Sequence, residues 1–427
     1  MILFLYRVLS TVLYPFILLL IFIRKIQKKE HKKRYKEKIF PSKFNIIRKK
    51  DLKLIWFHAA SIGEMKSIFP IIRELNKNYK HFEFLITTTT LSSGNLAEIE
   101  LKKFSNVQHR FFPVDVEFIV KIFLKNWKPN FIFLVDSEIW PNLILNAKKN
   151  KIPIAIINAR ITKKTSDRWL SFPKTSKLIF NKIDLCLSSN KETNEFFLKF
   201  NEKVYNTGNI KLISEVTLDR EMNLNEKKLK SKKFWIAAST HKNEEHFCLN
   251  AHLILKKRFN NLITVIAPRH IQRVHEIKKI CDKFNLVSQV LNKGDLIQDR
   301  NEIVIINSFG ALNLYFKLAK SVFIGKSTVP KLKYQGGQNP IDAANLGCKI
   351  YHGPYVYNFK EVYEILRKNQ ISEEIETYED LANKITIDLT ENIKNTERFY
   401  QTMKNLREKT LSLTMKHINS FINNASL

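Results

Sequence analysis

From about residue 51 onward, short runs of β-branched and aromatic residues alternate with longer amphipathic stretches. The apolar runs predict strands, and the amphipathic stretches between them predict helices. Regular alternation of strand and helix indicates an α/β fold with parallel sheets. Strands are predicted at 54–57, 82–87, 131–135, 154–157, 185–187, 234–238, 262–267, 303–306 and 322–324, with helices at 67–75 and 244–257.

A lysine-rich stretch without aromatic residues, 219–233, divides these strands into two series. It has no apolar period that could be buried, so we interpret it as part of a linker. The chain of 427 residues is long enough for two domains. Open parallel sheets bind ligands beyond the carboxyl ends of their strands, so we expect a site in a cleft between the domains. The predicted division is a doubly wound, Rossmann-like domain at 51–212, a linker at 213–233, a second such domain at 234–391 and a helical tail at 392–427.

Residues 1–23 are almost entirely apolar and predict a membrane anchor. As a single helix they would extend about 34 Å, close to the hydrocarbon thickness of a bilayer. Arg7 and Pro15 interrupt the stretch, so an interfacial helix lying flat on the membrane surface or on the protein is an equal alternative. Residues 24–50 are predicted to form a basic linker. Its positive charges attract anionic headgroups and favour a cytoplasmic position for the domains that follow.

The chain carries 72 Lys and Arg against 40 Asp and Glu, a formal charge of +32. Such an excess suits a nucleic acid, an anionic membrane or an acidic ligand, and a general lysine bias accounts for part of it. No recognised nucleic-acid module accompanies the charge, so we predict no nucleic-acid partner. The four cysteines lie far apart, and the glycines form neither a dinucleotide nor a P-loop fingerprint. We therefore expect no disulfide frame, no metal site and no cofactor.

Carboxylates follow two strands of the first series. Glu64 lies in a small-residue segment after the first strand, where it is either a favourable charge in a helix first turn or a general base. Asp136 and Glu138 follow the third strand, where Asp136 or Ser137 is also suited to cap the next helix. Lys211 places an amine at the end of the same domain. Charged groups that converge on one sheet edge suit an acidic substrate.

The second series has basic and small residues after its strands. Pro268 and Arg269 stand between a strand and a helix, where an arginine can bind a phosphate together with backbone N–H groups. Gly336 and Gly337 precede another predicted helix and leave backbone amides open to an anion or a nucleotide. A Ser-Thr-His segment followed by Glu244 is typical of a helix cap with an acidic first turn.

Taken in order, these segments resemble the transferases of 3-deoxy-D-manno-octulosonic acid (Kdo) in lipopolysaccharide biosynthesis. The resemblance covers nearly the whole chain. It implies a GT-B glycosyltransferase with two Rossmann-like domains that transfers Kdo from CMP-Kdo to a hydroxyl of the lipid A precursor lipid IVA. The implied reaction inverts the anomeric carbon and is independent of a metal ion. The segments that carry the resemblance are HAASIGE, TTTTLSSG, SEIWPN, INARI, GNIK, ASTHKNEE, APRHIQR, GGQNPIDAA and HGPYVYNF.

The family pattern also implies roles for individual residues. Glu64 would deprotonate the acceptor hydroxyl, and Asp136 and Lys211 would stabilise the transition state. CMP would be bound by Pro268, Arg269, Phe309, Gly310, Ala311, Asn339, Pro340, Ile341 and Asp342. The chain departs from the family in a few places. The family commonly has Glu at the positions of Asp136, Ala311 and Asp342, His at Gln338 and Gly at Lys326.

The partners implied are CMP-Kdo as donor, the lipid A precursor as acceptor and the anionic lipid of the inner membrane, with both domains on its cytoplasmic face. Two other interpretations are open. One is a GT-B transferase that uses a different nucleotide sugar on a membrane lipid, and product analysis with CMP-Kdo would separate it. The other is a basic, membrane-tethered nucleic-acid binder, which would show salt-dependent nucleic-acid binding and no transfer.

Overall fold

The computed structural model describes residues 2–41, 48, 51–214, 223–308, 310–391 and 396–425. The chain divides into two compact units, one of Met1–Glu215 with Arg407–Leu427 and one of Val216–Leu406. Each unit contains a seven-stranded sheet, and its neighbouring strands pair in parallel. The predicted α/β class with two parallel sheets is therefore confirmed.

The first unit is built around strands that run in the order β3-β2-β1-β4-β5-β6-β7 across the sheet. These strands are β1 (Lys53–His58), β2 (Phe82–Thr88), β3 (Val107–Phe111), β4 (Phe131–Val135), β5 (Ile154–Ala159), β6 (Leu185–Ser188) and β7 (Val204–Asn206). Its helices are α1 (Ile2–Val12), α2 (Tyr14–Ile26), α3 (Ile62–Asn78), α4 (Leu91–Glu100), α5 (Glu117–Trp127), α6 (Pro141–Lys149), α7 (Lys163–Leu170), α8 (Pro173–Phe180) and α9 (Lys191–Leu198). Short 3-10 helices lie at Arg34–Lys38, Leu101–Lys103 and Ile210–Ile213.

The sheet of the first unit is buried on both faces. Side chains alternate along a strand, so Ile55 and Phe57 of β1 pack on one face with α3, while Leu54 and Trp56 pack on the other with α5 and α6. Two covered faces explain why the strands of this unit are nearly continuous apolar runs. The C-terminal helix, Thr396–Ala425, contributes Ile418 to the first of these faces.

The second unit repeats the architecture with strand order β10-β11-β9-β8-β12-β13-β14. Its strands are β8 (Lys233–Thr240), β9 (Leu262–Pro268), β10 (Ser288–Leu291), β11 (Ile303–Ile306), β12 (Ser321–Ile324), β13 (Lys349–His352) and β14 (Ser372–Glu374). Its helices are α10 (Glu226–Lys230), α11 (Glu244–Lys256), α12 (Val274–Lys283), α13 (Leu312–Phe316), α14 (Ile341–Asn345), α15 (Lys360–Lys368) and α16 (Tyr378–Thr390), and α17 is the C-terminal helix Thr396–Ala425. Short 3-10 helices lie at Ile271–Arg273, Pro330–Leu332 and Tyr357–Phe359.

Every strand that the sequence predicts is present, and five further strands are not predicted. The missed strands β3, β7, β10, β13 and β14 are short and contain polar residues, as in Val-Gln-His-Arg-Phe and Ser-Glu-Glu. Helix α3 also begins five residues earlier than predicted, at Ile62. The Ser61 side chain accepts a hydrogen bond from the Glu64 backbone N–H and so caps the helix at this point.

Both predicted linkers contain folded structure. Helix α10 lies within 213–233. Its apolar side chain, Leu229, is fully buried and packs inside the unit. The part at 215–222 lies outside the described residues. Of the predicted basic linker at 24–50, Glu37 accepts a hydrogen bond from the Phe111 backbone N–H at 2.8 Å, and Lys38 is buried. Most of this segment up to residue 41 therefore packs on the first unit.

The apolar N-terminal segment forms two helices rather than the single helix expected over 1–23. Within the described ranges, no one helix is both long and apolar enough to cross a membrane, while α1 and α2 together meet that criterion but are bent by 55°. The Tyr6 hydroxyl donates to Asp115 Oδ2 at 2.8 Å, and the Tyr14 hydroxyl donates to the Ile39 carbonyl at 2.7 Å. Both helices thus contact the first unit through polar groups.

Candidate active site

Glu64 lies just beyond the carboxyl end of the central strand β1, in the first turn of α3. Its side chain is oriented by two donors: Oε2 accepts from the Ala60 backbone N–H at 2.7 Å, and Oε1 accepts from the Ser61 hydroxyl at 2.6 Å. The residue is only 8% exposed. A carboxyl group held this way has a fixed direction and little access to bulk water.

The surroundings of Glu64 change its acidity. Burial and, to a smaller extent, the nearby charges of Asp136 and Glu138 raise the pKa of Glu64 to about 7, although the hydrogen bonds from Ser61 and Ala60 lower it. A carboxyl with a pKa close to neutrality can both exist as a carboxylate and retain a proton that it has accepted. The sequence left two roles open for this residue, and this environment favours the general base.

Asp136 and Lys211 form an ion pair in the same unit. Asp136 follows β4 with a left-handed backbone, φ 65°, and its Oδ2 lies 2.7 Å from Lys211 Nζ. A Cβ added at Gly63 would lie 4.0 Å from Lys211 Cε, so the lysine stem runs alongside the start of α3. Lys211 is itself placed by Asn209, whose side chain accepts from the Lys211 backbone N–H. The three catalytic candidates Glu64, Asp136 and Lys211 are therefore brought together.

Glu138 is a further member of this group, and the sequence assigned no role to it. Its Oε2 lies 3.2 Å from His58 Nε2 and accepts from Trp140 Nε1 at 2.7 Å. His58 is fully buried and stacks on Phe112 with ring centroids 3.7 Å apart. The only sequence signal for His58 is its place at the end of a strand next to the Glu64 segment.

Neither Asp136 nor Ser137 caps helix α6, so this alternative from the sequence is wrong. The helix begins at Pro141, and its residue Trp140 makes no side-chain capping bond. Asp115 takes that role from a different segment, because its two carboxylate oxygens accept from the backbone N–H groups of Asn142 and Leu143 at 3.0 and 2.9 Å. Asp136 is consequently available to Lys211.

In the second unit, Pro268 ends β9 and Arg269 follows it in the exposed position expected. The Arg269 backbone N–H donates to the Thr240 carbonyl at 3.1 Å, which ties the ends of β8 and β9 together. His241 and His270 stand at the same edge, with ring centroids 5.8 Å apart. Among the described residues no carboxylate forms an ion pair with the Arg269 guanidinium, so this edge of the second sheet is basic.

Glu244 organises the loops at this edge instead of only capping α11. It is 1% exposed. Its Oε2 accepts from the backbone N–H groups of His241 and Lys326 at 2.9 and 2.6 Å, and its Oε1 accepts from Ser327 and Thr328. The carboxylate therefore joins the loop after β8 to the loop after β12.

The amide of Gly337 is not open, contrary to the interpretation from the sequence. A Cβ at Gly336 would lie 2.1 Å from the Tyr355 carbonyl oxygen, and the Gly337 N–H already donates to the Lys326 carbonyl at 2.7 Å. Gly337 also has a φ of 86°. These glycines are needed for the close approach of two loops.

The other residues that the family resemblance implies for CMP binding lie beside two short helices. Asn339 accepts from the Ile341 backbone N–H at 3.0 Å, and Asp342 is in the first turn of α14. Pro340 and Ile341 are buried, so their side chains pack inside the unit.

The segment before α13 is partly exposed. Gly310 is exposed with a φ of 81°, and Ala311 directly precedes α13 without a side-chain cap. Phe309 lies outside the described residues. Along the described parts of the chain, no group of three or more His, Cys, Asp and Glu side chains is placed to hold a metal ion.

Two parallel α/β sheets, each with charged side chains beyond the carboxyl ends of its strands, have the architecture of the GT-B fold class. Solved structures support the fold. A glycosyltransferase from Rickettsia africae matches with a TM-score of 0.56 at 11% identity, covering 88% of this chain and 99% of that one. A UDP-GlcNAc 2-epimerase from Neisseria meningitidis matches with a TM-score of 0.57 at 14% identity, covering 87% and 100%. Because these two neighbours catalyse different reactions, the fold alone does not define the chemistry.

Sequence comparison defines the family. The family model described as 3-deoxy-D-manno-octulosonic-acid transferase matches residues 32–214. The 3-deoxy-D-manno-octulosonic acid transferase of Rickettsia bellii is 30% identical over 401 residues, which cover 93% of each chain. The chain therefore belongs to the Kdo transferase family and is a glycosyltransferase.

Proposed function

We propose that the chain transfers Kdo from CMP-Kdo to a hydroxyl group of the lipid A precursor lipid IVA, with inversion of the anomeric carbon and without a metal ion. The observation that carries the proposal is the buried Glu64 carboxyl, with a pKa raised to about 7, in a group with the Asp136–Lys211 pair. An alcohol is a poor nucleophile until a positioned base removes its proton.

The bond changes follow from one displacement. A Glu64 carboxylate oxygen takes the proton of the acceptor hydroxyl while that hydroxyl oxygen forms a bond to the anomeric carbon of Kdo. The bond from this carbon to the phosphate oxygen breaks, and its electron pair leaves with CMP. Attack on the side opposite the leaving group inverts the carbon, and Glu64 later releases the proton to solvent.

Two cations supply the charge stabilisation in this proposal. Lys211, fixed by Asp136 at 2.7 Å, offsets negative charge that develops beside Glu64. Arg269, exposed at the end of β9, binds the phosphate of CMP, for which guanidinium geometry is well suited. A cationic side chain in this position gives the leaving phosphate the stabilisation that a divalent ion gives in other transferases.

We also propose that the bent pair of α1 and α2 holds the enzyme on the cytoplasmic face of the inner membrane, beside its lipid acceptor. Polar contacts fix one side of the pair to the first unit, whereas Phe4 and Phe16 are 70% and 67% exposed. Exposed lysines such as Lys28 and Lys29 follow the pair, and such groups attract anionic headgroups. An apolar face beside a basic one is typical of a helix that lies in the membrane interface.

The transfer proposal is tested with the purified full chain, CMP-Kdo and tetraacylated lipid A precursor, with the products resolved by mass. We expect a product heavier by one or more Kdo units, in reactions with and without a chelator. Reactions with UDP-sugars in place of CMP-Kdo serve as the comparison. Transfer from a UDP-sugar and none from CMP-Kdo would overturn the donor assignment.

The membrane proposal is tested by sedimentation with vesicles of phosphatidylethanolamine and phosphatidylglycerol. We expect the double variant Phe4→Ser/Phe16→Ser to remain in the supernatant while it still acts on detergent-dispersed acceptor. Leu296→Ser is the matched control, because this leucine is 65% exposed in the second unit. Equal sedimentation of the double variant and the wild type would show that other surfaces bind the membrane.

A further inference from the structure

Lys326 lies on the basic edge of the second unit, directly after β12. Its backbone is held on both sides: its N–H donates to Glu244 Oε2 at 2.6 Å, and its carbonyl accepts from the Gly337 N–H at 2.7 Å. The preceding Gly325 N–H donates to the Ala238 carbonyl at 2.8 Å, which ties this loop to β8. The position of Lys326 is therefore defined by the ends of several strands.

The backbone conformation of Lys326 is one that suits glycine better than lysine. Its φ is 60°, in the left-handed region, where a Cβ is disfavoured. Three other lysines share this conformation, at 28, 128 and 151, but each lies just beyond the end of a helix, where the left-handed conformation is common. Lys326 instead follows a strand. A residue that keeps a side chain despite a strained backbone conformation, at a candidate site, suggests a function for that side chain.

The charges around Lys326 point to an anion. Burial and then the charge of Arg269 lower the pKa of Lys326, so Arg269 lies close enough to act on it. Burial, with smaller effects from Lys326 and His270, lowers the pKa of His241. Across the described ranges, neither Lys326 nor Arg269 forms an ion pair with a carboxylate. The nearby Glu244 carboxylate is already occupied by the loop donors. Two unpaired cations that repel each other are stabilised when an anion binds between or beside them.

Two long cationic side chains at one sheet edge can converge on a ligand with two anionic groups. Arg269 follows β9 and Lys326 follows β12, and β8 lies between these strands in the sheet. Strands are separated by about 4.8 Å, so the two attachment points lie roughly 10 Å apart. CMP-Kdo carries two negative groups, the phosphodiester and the carboxylate of the sugar acid. This inference rests on the proposed donor.

We propose that the Lys326 ammonium binds the carboxylate of the donor sugar while Arg269 binds its phosphate, so that Lys326 selects for an acidic sugar. CMP alone has the phosphate and lacks the carboxylate. Loss of the Lys326 charge is thus expected to weaken the binding of CMP-Kdo and not that of CMP, whereas loss of the Arg269 charge is expected to weaken the binding of both.

The experiment measures KM for CMP-Kdo and the inhibition constant of CMP in the same transfer assay. We expect Lys326→Gly to raise KM for CMP-Kdo about tenfold and to leave the CMP inhibition constant within about twofold. Glycine relieves the left-handed conformation, so this variant should melt at or above the wild-type temperature. Lys326→Arg, which keeps the charge, should recover most of the affinity, and Lys331→Ala, on the same loop and exposed, should change neither constant.

Two results would overturn the assignment. An unchanged KM for CMP-Kdo would mean that Lys326 does not bind the donor. An equal rise in both constants would mean that Lys326 binds the nucleotide phosphate and not the sugar. The wild-type reaction separates these results from the proposed function, because wild type that fails to use CMP-Kdo would reject the function itself.

Discussion

The carboxyl edges of the two sheets have the same architecture and opposite charge. In the first unit, Glu64, Asp136 and Glu138 lie near one another with Lys211 as the paired cation. In the second unit the acidic groups bind partners within the same unit. Glu245, for example, forms a two-point ion pair with Arg273 at 2.8 and 3.0 Å. One fold thus provides a proton acceptor at one edge and an anion site at the other.

The two buried carboxylates, Glu64 and Glu244, differ in the hydrogen bonds that they accept and in the charges around them. Glu64 has two short hydrogen bonds, but burial first and then two nearby negative charges raise its pKa. Glu244, also buried, accepts hydrogen bonds from five donors and joins two loops. The two buried carboxylates therefore differ in the number of donors that face them, two for Glu64 and five for Glu244.

The largest effect is expected at the acidic edge. Glu64→Gln keeps the shape of the side chain and removes the proton acceptor, so turnover should fall by about 10²- to 10⁴-fold with little change in the melting temperature. Glu74→Gln is the matched control, because Glu74 lies on the same helix and pairs with the exposed Lys77. Steady-state rates of both variants measure the effect. Near-normal turnover of Glu64→Gln would remove Glu64 as the base.

A smaller and different effect is expected at the basic edge. Arg269→Ala should raise KM for the donor about 10- to 100-fold, because a charged hydrogen bond to phosphate is lost, while KM for the acceptor stays unchanged. Arg300→Ala, exposed in the same unit, is the control. If the acceptor constant rose instead, the two edges would not divide the substrates as proposed.

The strands that carry the two edges could be predicted from the sequence because each is an apolar run buried on both faces. The chemistry after the strands could be predicted only in part. Glu64 and Arg269 could be predicted as site candidates because each lies in the segment that follows a strongly apolar strand. The cap on α6 could not be found, since Asp115 reaches it from 27 residues away in the chain. Gly337 was misinterpreted because its amide partner, Lys326, is brought close only by the tertiary fold.

The pH dependence tests the electrostatics of the acidic edge. The pKa of Glu64 is raised to about 7, so above this pH the group is ionised and active, and below it the group is protonated and inactive. We expect kcat/KM to fall about tenfold per pH unit below a midpoint near 7. A rate profile from pH 5.5 to 8.5 measures this. A flat profile, or a midpoint below 5, would show that neighbouring charge and burial do not act on the base.

The smallest expected effect isolates one charge. Glu138→Gln removes a negative charge that raises the pKa of Glu64, so the midpoint should move to lower pH, by about half a unit or less. The amide oxygen of glutamine can still accept from Trp140 and His58, since both contact a single carboxylate oxygen. Geometry is thereby kept while charge changes, and Glu74→Gln again gives the reference profile. A lower rate with an unmoved midpoint would mean that Glu138 acts by positioning His58 and Trp140, whereas a shift toward acid at full rate would mean that it acts through its charge.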